Sequence, residues 1–372
     1  MVVRDLLDIA AVRDRVRSDG PPSVLATVVK VTGSAYRGAG ARLLVLGDDT
    51  LAGGVSGGCL EKDVVARAER LRKTGRAELV TYDLTDDAPW GLGMRCGGRL
   101  QLLLEPLAAG FPDHLAFLLD ADARREPAVV ATLFRVKEGA AVDTGASVTA
   151  GAAGAPTPAH PGLEVGARLM LGTDGSPAGA LAGGPFGDAV SADAKAAMAA
   201  GHTTVSTYPW AGGDAEVLIE FVPPPISILV CGEEREAAPL VSLAGGLGWR
   251  VRLLGKHEAV PALDGRSAAV VMTHNDARDL ELLPAVLATE APYVGLLGSR
   301  ARTGLLLDDL RTCGALTDGT DLRRLRTPAG LDIGAETPAE VALAIAAEIQ
   351  AVFAGRGGGS LRETKGSIHA GR

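Results

Sequence analysis

Hydrophobic positions follow two regimes along the chain. Over the first 222 residues, short apolar runs are interrupted by polar and glycine-rich stretches. Ser23 to Val31 (SVLATVVKV) is rich in β-branched residues and predicts a strand. Arg42 to Leu46, Leu79 to Tyr82 and Leu100 to Leu104 predict three more. Leu60, Val64, Val65, Ala68 and Leu71 recur at helical spacing, so Leu60 to Lys73 reads as a helix. The opening MVVRDLLDIAAVRDRVRSDG carries charges throughout and reads as an amphipathic helix rather than a signal peptide. Further on, Arg168 to Leu171, Thr203 to Thr207 and Val217 to Phe221 predict strands, and Asp188 to Ala200 a helix. These are expected to complete the sheet of the same domain, with a small separate domain as the alternative. Between them, Lys137 to Val165 holds Ala, Gly, Pro and Thr with almost no large apolar residue, and predicts a loop or weakly ordered insert.

The second regime begins after Val222 to Pro225 (VPPP), a run that stiffens the chain and ends a sheet. Strands at Ile226–Cys231, Val251–Leu254, Ala268–Met272 and Tyr293–Leu297 alternate with helices at Glu236–Leu247, Ala277–Leu287 and Arg302–Leu310. That alternation means right-handed crossovers and a parallel, doubly wound sheet. Thr337 to Phe353 closes the pattern as a helix, with Thr337 as N-cap, Pro338 at N1 and Glu340 at N3 completing a capping box. The expected architecture is α/β overall. An N-terminal α+β domain spans residues 1–222, with the low-complexity insert at about 137–165. A C-terminal Rossmann-like domain spans 226–354, and a glycine-rich tail 355–372.

Composition narrows the function. The chain has 372 residues, of which 47 % are hydrophobic but only 3 % aromatic, so Ala, Val and Leu must fill the cores. A net charge of −8 argues against a broad electrostatic grip on nucleic acid. No apolar run approaches the roughly 18 residues that span a bilayer, so a cytoplasmic location is expected. Four cysteines in so long a chain are not a disulfide framework, and the absence of a CxxC pair argues against a structural zinc site.

Three glycine-rich segments of the first domain carry candidate chemistry. Gly53-Gly54-Val55-Ser56-Gly57-Gly58-Cys59-Leu60-Glu61 leads into a helix, where free N–H groups and a partial positive charge favour an anion. A thiol at such a place is a candidate soft ligand or nucleophile, although a lone cysteine is more often a small buried residue. Trp90 to Arg99 repeats the theme as Cys96-Gly97-Gly98, which a hairpin turn also explains. Gly33 to Arg42 adds Arg37 and Arg42, whose guanidiniums suit bidentate grip of a phosphate. Together they suggest a site for an anionic, sulfur-bearing or metal-bearing ligand.

In the second domain the dinucleotide fingerprint fails. The first turn, Cys231-Gly232-Glu233-Glu234-Arg235-Glu236, has one glycine and three acids, and the second strand ends in Gly255-Lys256-His257 with no acid for a ribose. NAD(P) is therefore disfavoured. Thr273-His274-Asn275-Asp276 offers an acid/base or ligand, or merely a capped turn. Gly295-Leu296-Leu297-Gly298-Ser299-Arg300 suits a phosphate at a helix start. Asp332 and Glu336 precede the last helix, where they also favour its dipole.

The runs GSAYRGAGARLLVL, GGVSGGCLEKDVV and GLGMRCGGRLQLLLEPL resemble the N-terminal module of the XdhC/CoxI family, and VMTHNDARDLELL, PYVGLLGSRAR and GLDIGAETPAEVALAIAAEI resemble its C-terminal one. The resemblance covers nearly the whole chain outside the insert. It departs at Gly232 to Arg235, where the family usually has Gly-x-Gly-His and this chain places Glu234 and Arg235. The resemblance implies an accessory factor that binds the molybdenum cofactor (molybdopterin), protects it during sulfuration and passes it to an apo molybdenum hydroxylase such as xanthine dehydrogenase. It implies a cofactor chaperone rather than a catalyst, working as a homodimer, with a cysteine desulfurase as a second partner. It implies that Cys59 and Cys96 lie at the cofactor site as molybdenum-side ligands. Gly57, Gly58, Gly97, Gly98, Arg37, Arg42, His274, Gly295, Gly298, Ser299, Arg300 and Asp332 complete the candidate set. The alternatives are a scaffold that binds a maturation partner without touching cofactor, and an NAD(P)-dependent oxidoreductase supported only by fold-level analogy.

Overall fold

The computed structural model describes residues 2–16, 21–84, 97–107, 110–138, 163–210, 213–317 and 319–363. Most of the predicted insert, Cys96 and the second half of the glycine-rich tail, from residue 364 on, lie outside these residues. The chain divides into two compact units, with the boundary between Pro224 and Pro225.

The first unit opens with α1 (Val2–Ala10). Its first sheet is antiparallel in the order β3-β2-β1-β5-β4, from β1 (Ser23–Gly33), β2 (Arg42–Val45), β3 (Leu51–Gly53), β4 (Glu78–Asp83) and β5 (Gly98–Leu107). Helix α2 (Glu61–Thr74) covers one face. Val24, Ala26 and Val28 of β1 meet its Val64, Ala68 and Leu71, while Leu25 and Val29 point the other way. Period-two alternation with both faces covered explains why β1 reads as an unbroken apolar run.

The later strands do not extend this sheet, as the sequence suggested. They form a second antiparallel sheet in the order β8-β7-β6-β10-β9, from β6 (Ala128–Glu138), β7 (Arg168–Leu171), β8 (Pro177–Ala178), β9 (Thr204–Trp210) and β10 (Gly213–Val222). The cause is β6, whose ten-pair ladder with β10 supplies a new centre. Helix α4 (Gly184–Ala200) covers its outer face, and α3 (Asp113–Arg124) joins α1 in a core beside the two sheets. The inner faces meet through Val29, Leu103, Phe134 and Leu218.

Charges cross this sheet-to-sheet layer. Arg42 Nη1 donates to Glu220 Oε1 at 2.9 Å, and the two side chains are only 2 % and 1 % exposed. Gly40, at φ +88°, gives Arg42 a carbonyl acceptor at 2.8 Å, and a Cβ there would stand 2.4 Å from Glu220 Oε1. Arg168 donates to Glu105 Oε1 at 3.0 Å, and Lys30 to Glu216 Oε1 at 2.8 Å. Nearby His114 is held well below its ordinary pKa by burial and by Arg168 and Arg42, so it adds no third positive charge.

The second unit is a parallel sheet in the order β12-β11-β13-β14-β15, from β11 (Ser227–Gly232), β12 (Arg250–Leu253), β13 (Ser267–Met272), β14 (Tyr293–Leu296) and β15 (Leu325–Arg326). Helices α5 (Glu234–Gly246) and α8 (Pro338–Phe353) cover one face, and α6 (Asp276–Leu287) and α7 (Arg300–Thr312) the other. The chain changes direction across the sheet between β11 and β13, the place where such sheets bind ligands. The predicted capping box is present, with Thr337 and Glu340 reciprocally bonded.

Glu220→Gln leaves the buried Arg42 guanidinium without its counter-charge. It is expected to lower unfolding free energy by about 3–5 kcal/mol, measured by urea denaturation. A loss under about 1 kcal/mol would show that the pair does not hold the sheets together.

Candidate functional site

The glycine segments at Gly33 and Gly53 and the described end of the third, Gly97 to Arg99, meet at one end of the first sheet. Gly33, the last residue of β1, pairs with Gly98, the first of β5. A Cβ on Gly98 would lie 2.2 Å from the Ser34 carbonyl oxygen, and one on Gly33 2.8 Å from that of Gly97. Gly33 and Gly97 also hold φ of +77° and +73°, a region that side chains disfavour. Backbone therefore lies against backbone, and only glycine permits it. Tyr36, 67 % exposed, lays its ring over Gly57, 3.6 Å from the place of a Cβ. That contact joins the second segment to the first. Gly58 and Gly97 have nothing within 4 Å of a Cβ position, so their backbones face open space. Cys59 follows Gly58 and is exposed, and among the described residues its thiol has no hydrogen-bond partner.

The helix start is not the vacant anion site that the sequence suggested. The amides of Gly58, Cys59 and Leu60 donate to Ser56 Oγ at 3.2, 3.1 and 3.0 Å. The Glu61 carboxylate accepts from Ser56 N at 2.9 Å and Leu60 N at 3.1 Å. Burial would raise the Glu61 pKa, but the hydrogen bonds from the Ser56 hydroxyl and the loop amides outweigh it and hold the carboxyl below its usual range. The donors are taken by the protein's own carboxylate. Ser56 and Glu61 escape a capping-motif search because they stand five residues apart rather than three.

The arginines also differ from expectation. Arg42 is buried against Glu220, and Arg37 pairs with the buried Asp5 of α1. Asp5 is raised by burial against the opposing pull of Arg37. Both guanidiniums are committed to the framework, so neither is open to a phosphate in this arrangement.

At the carboxyl edge of the second unit's sheet, His274 Nε2 lies 2.8 Å from Glu236 Oε1 across the β11–β13 reversal. Gly232 closes that gap from below, since a Cβ there would meet Met272 Cγ at 2.7 Å. Arg302 donates to Asp276 Oδ1 at 2.8 Å and to the fully buried Asp279 Oδ2 at 2.6 Å, bracing the β13 and β14 turns. Ser299 caps α7 by accepting from Arg302 N at 3.2 Å. Gly298 sits beside it with φ +152°, and Arg300 is exposed with no ion-pair partner among the described residues. Gly295 is not part of this turn. It lies inside β14, where its missing Cβ makes room for the Tyr293 ring at 2.9 Å and Ala329 at 3.1 Å. Asp332 is exposed in the loop after β15. His274, Gly298, Ser299 and Arg300 thus share one edge. Among the described residues no group of three or more His, Cys, Asp or Glu side chains is placed to hold a metal ion. No described helix is long and apolar enough to cross a membrane.

Residues 16–83, which contain two of the three glycine segments, match the XdhC and CoxI family, and residues 228–349 match the XdhC Rossmann domain. The chain belongs to the XdhC and CoxI family. It is 26 % identical over 367 residues to a protein of Bacillus subtilis (strain 168) described as a probable xanthine dehydrogenase component, covering 90 % of this chain and 94 % of that one. It is 24 % identical over 336 residues to the molybdenum cofactor insertion chaperone PaoD of Escherichia coli (strain K12), covering 90 % and 84 %. The crystal structure of a xanthine dehydrogenase from Bacillus halodurans shares the fold, with a TM-score of 0.68 at 23 % identity, over 96 % of this chain and 98 % of that one.

Gly98→Ala places a methyl group on the Ser34 carbonyl and is expected to separate the first and third segments. We expect amides of residues 33–36 to exchange faster with solvent while those of unit-two strands do not change. Unaltered exchange at residues 33–36 would show that the close approach does not hold the loops.

Proposed function

We propose that this XdhC/CoxI member binds the molybdenum cofactor as cargo, shelters it while its sulfido ligand is installed, and delivers it to an apo molybdenum hydroxylase. The observation that carries the reading is the convergence of three glycine segments around an exposed, unpartnered Cys59 in a chain alignable over 90 % of its length with a named insertion chaperone. Glycine backbones with no Cβ let a flat ligand approach the main chain closely. A soft thiol suits a molybdenum–dithiolene group by hardness. Cys59 is the molybdenum-side ligand in this proposal. Cys96, which precedes Gly97 in sequence, is the second. Gly57, Gly58, Gly97 and Gly98 form the cradle, and the sheet edge with His274, Gly298, Ser299, Arg300 and Asp332 is the secondary candidate.

A homodimer acting in the cytoplasm, with a cysteine desulfurase as a further partner, completes the proposal. The oxidoreductase reading is disfavoured by Glu233, Glu234 and Glu236 at the β11–α5 turn, which would repel a pyrophosphate. The chain's own contribution is binding, orientation and exclusion of water and oxidant, with no bond of the cargo made or broken by it.

The test is activation of an apo molybdenum hydroxylase by the loaded protein under anaerobic conditions. Wild type is expected to restore turnover. Cys59→Ser is expected to deliver about tenfold less cofactor, the loss that accompanies roughly 1.4 kcal/mol of binding. Equal delivery by Cys59→Ser would remove that residue from the site. Failure of wild type to activate any hydroxylase would overturn the function.

A further inference from the structure

With Arg37 and Arg42 committed to Asp5 and Glu220, the cations left near the glycine segments lie one step along β1. Lys30 Nζ lies 2.8 Å from Glu216 Oε1, Arg135 Nη1 2.6 Å from Glu216 Oε2, and Lys137 Nζ 3.8 Å from the same oxygen. The three come from both sheets of the first unit, Lys30 from β1 and the other two from β6. Glu216 is 4 % exposed, whereas Lys30, Arg135 and Lys137 are 35, 27 and 52 % exposed, so the carboxylate is the floor and the cations are the rim.

One carboxylate cannot neutralise three cations. Among the described residues no other carboxylate forms an ion pair with any of them. Asp214 stands opposite Lys137 in the β6–β10 register and is exposed. Even with Asp214 counted, the cluster keeps a net positive charge. Gathering like charges within a few ångströms is unfavourable unless something offsets it. Glu216 does so in part, since its carboxyl, although burial pushes it up, is held low by the Lys30 hydrogen bond and by Arg135 and Lys137. The surplus suits an oxyanion, with the guanidinium offering a fork and the ammonium groups mobile point charges.

We propose that Lys30, Arg135 and Lys137, held on Glu216, bind a phosphate group, and that this is the phosphate end of the cargo. The second half rests on the function proposed above. Lys30 precedes Gly33 by three strand residues, about 10 Å at roughly 3.3 Å per residue. A tricyclic pterin carrying a phosphate on a short arm spans a distance of that order.

The test is calorimetric titration of the full chain with inorganic phosphate and with pyrophosphate at fixed ionic strength. Wild type binds saturably, and the double variant Lys30→Gln/Lys137→Gln binds at least about tenfold more weakly. Glu216→Gln binds more tightly, because it removes the competing carboxylate, an effect that a merely structural role would not give. Lys195→Gln, on the exposed side of α4, binds as wild type does. No saturable binding by wild type, or equal binding by the double variant, overturns the anion site. A parallel anaerobic titration with molybdenum cofactor separates the two halves. Weaker cofactor binding by the double variant supports the assignment to the cargo, and unchanged cofactor binding overturns it. A chain that binds phosphate here but no cofactor overturns the proposed function and leaves the anion site standing.

Discussion

The first unit depends on one buried ion pair. Arg42 of β2 and Glu220 of β10 meet across the layer between its two sheets, almost wholly removed from water. Two unpaired charges there would each carry a large desolvation penalty, so the pair fixes where one sheet can sit on the other. It also explains details that look unrelated along the chain. Gly40 must lack a side chain because Glu220 occupies that space. The loop from Gly33 to Arg42 is thereby anchored at its far end, while its near end is pinned by the Gly33–Gly98 approach. A glycine-rich loop held at both ends presents a fixed backbone surface, as preorganised binding requires.

Much of this is legible in the sequence. Strand β1, helix α2, the alternating elements of the second unit and the capping box at Thr337 follow from period and cap chemistry, and the structure places them within a few residues of expectation. The division of strands into two sheets is not legible, because period-two patterning identifies a buried face without naming what buries it. β6 (AVVATLFRVKE) carries a β-branched run like that of β1 and α3 has apolar residues at helical spacing, so both elements are legible locally, but the pairing of β6 with β10 is not. In the site, the glycine segments are legible and the roles of the charges are not. Arg42 looks like a ligand-binding residue from its loop, yet its partner is 178 positions away. Glu61 looks like a helix-start acid and fills the anion position itself. Gly295 looks like a loop glycine and lies within a strand to admit a tyrosine. Pairing between distant residues decides most of these, and no local pattern carries it.

The two units carry different chemistry. The first offers open glycine backbone, an exposed thiol and a rim of cations around Glu216. The second has a parallel sheet whose carboxyl edge is braced by acid–arginine pairs and whose first turn is acidic. The turn after the first strand of its Rossmann domain carries Glu233, Glu234 and Glu236, charges that oppose a pyrophosphate there.

In the proposed function, the glycine segments of the first unit hold the molybdenum cofactor. Hydrogen–deuterium exchange of the full chain, with and without saturating molybdenum cofactor under anaerobic conditions, tests it most directly. Slowed exchange is expected at residues 33–42, 53–60 and 97–100. Protection confined to residues 232–236, 273–276 and 298–302, with the glycine segments unchanged, would contradict it.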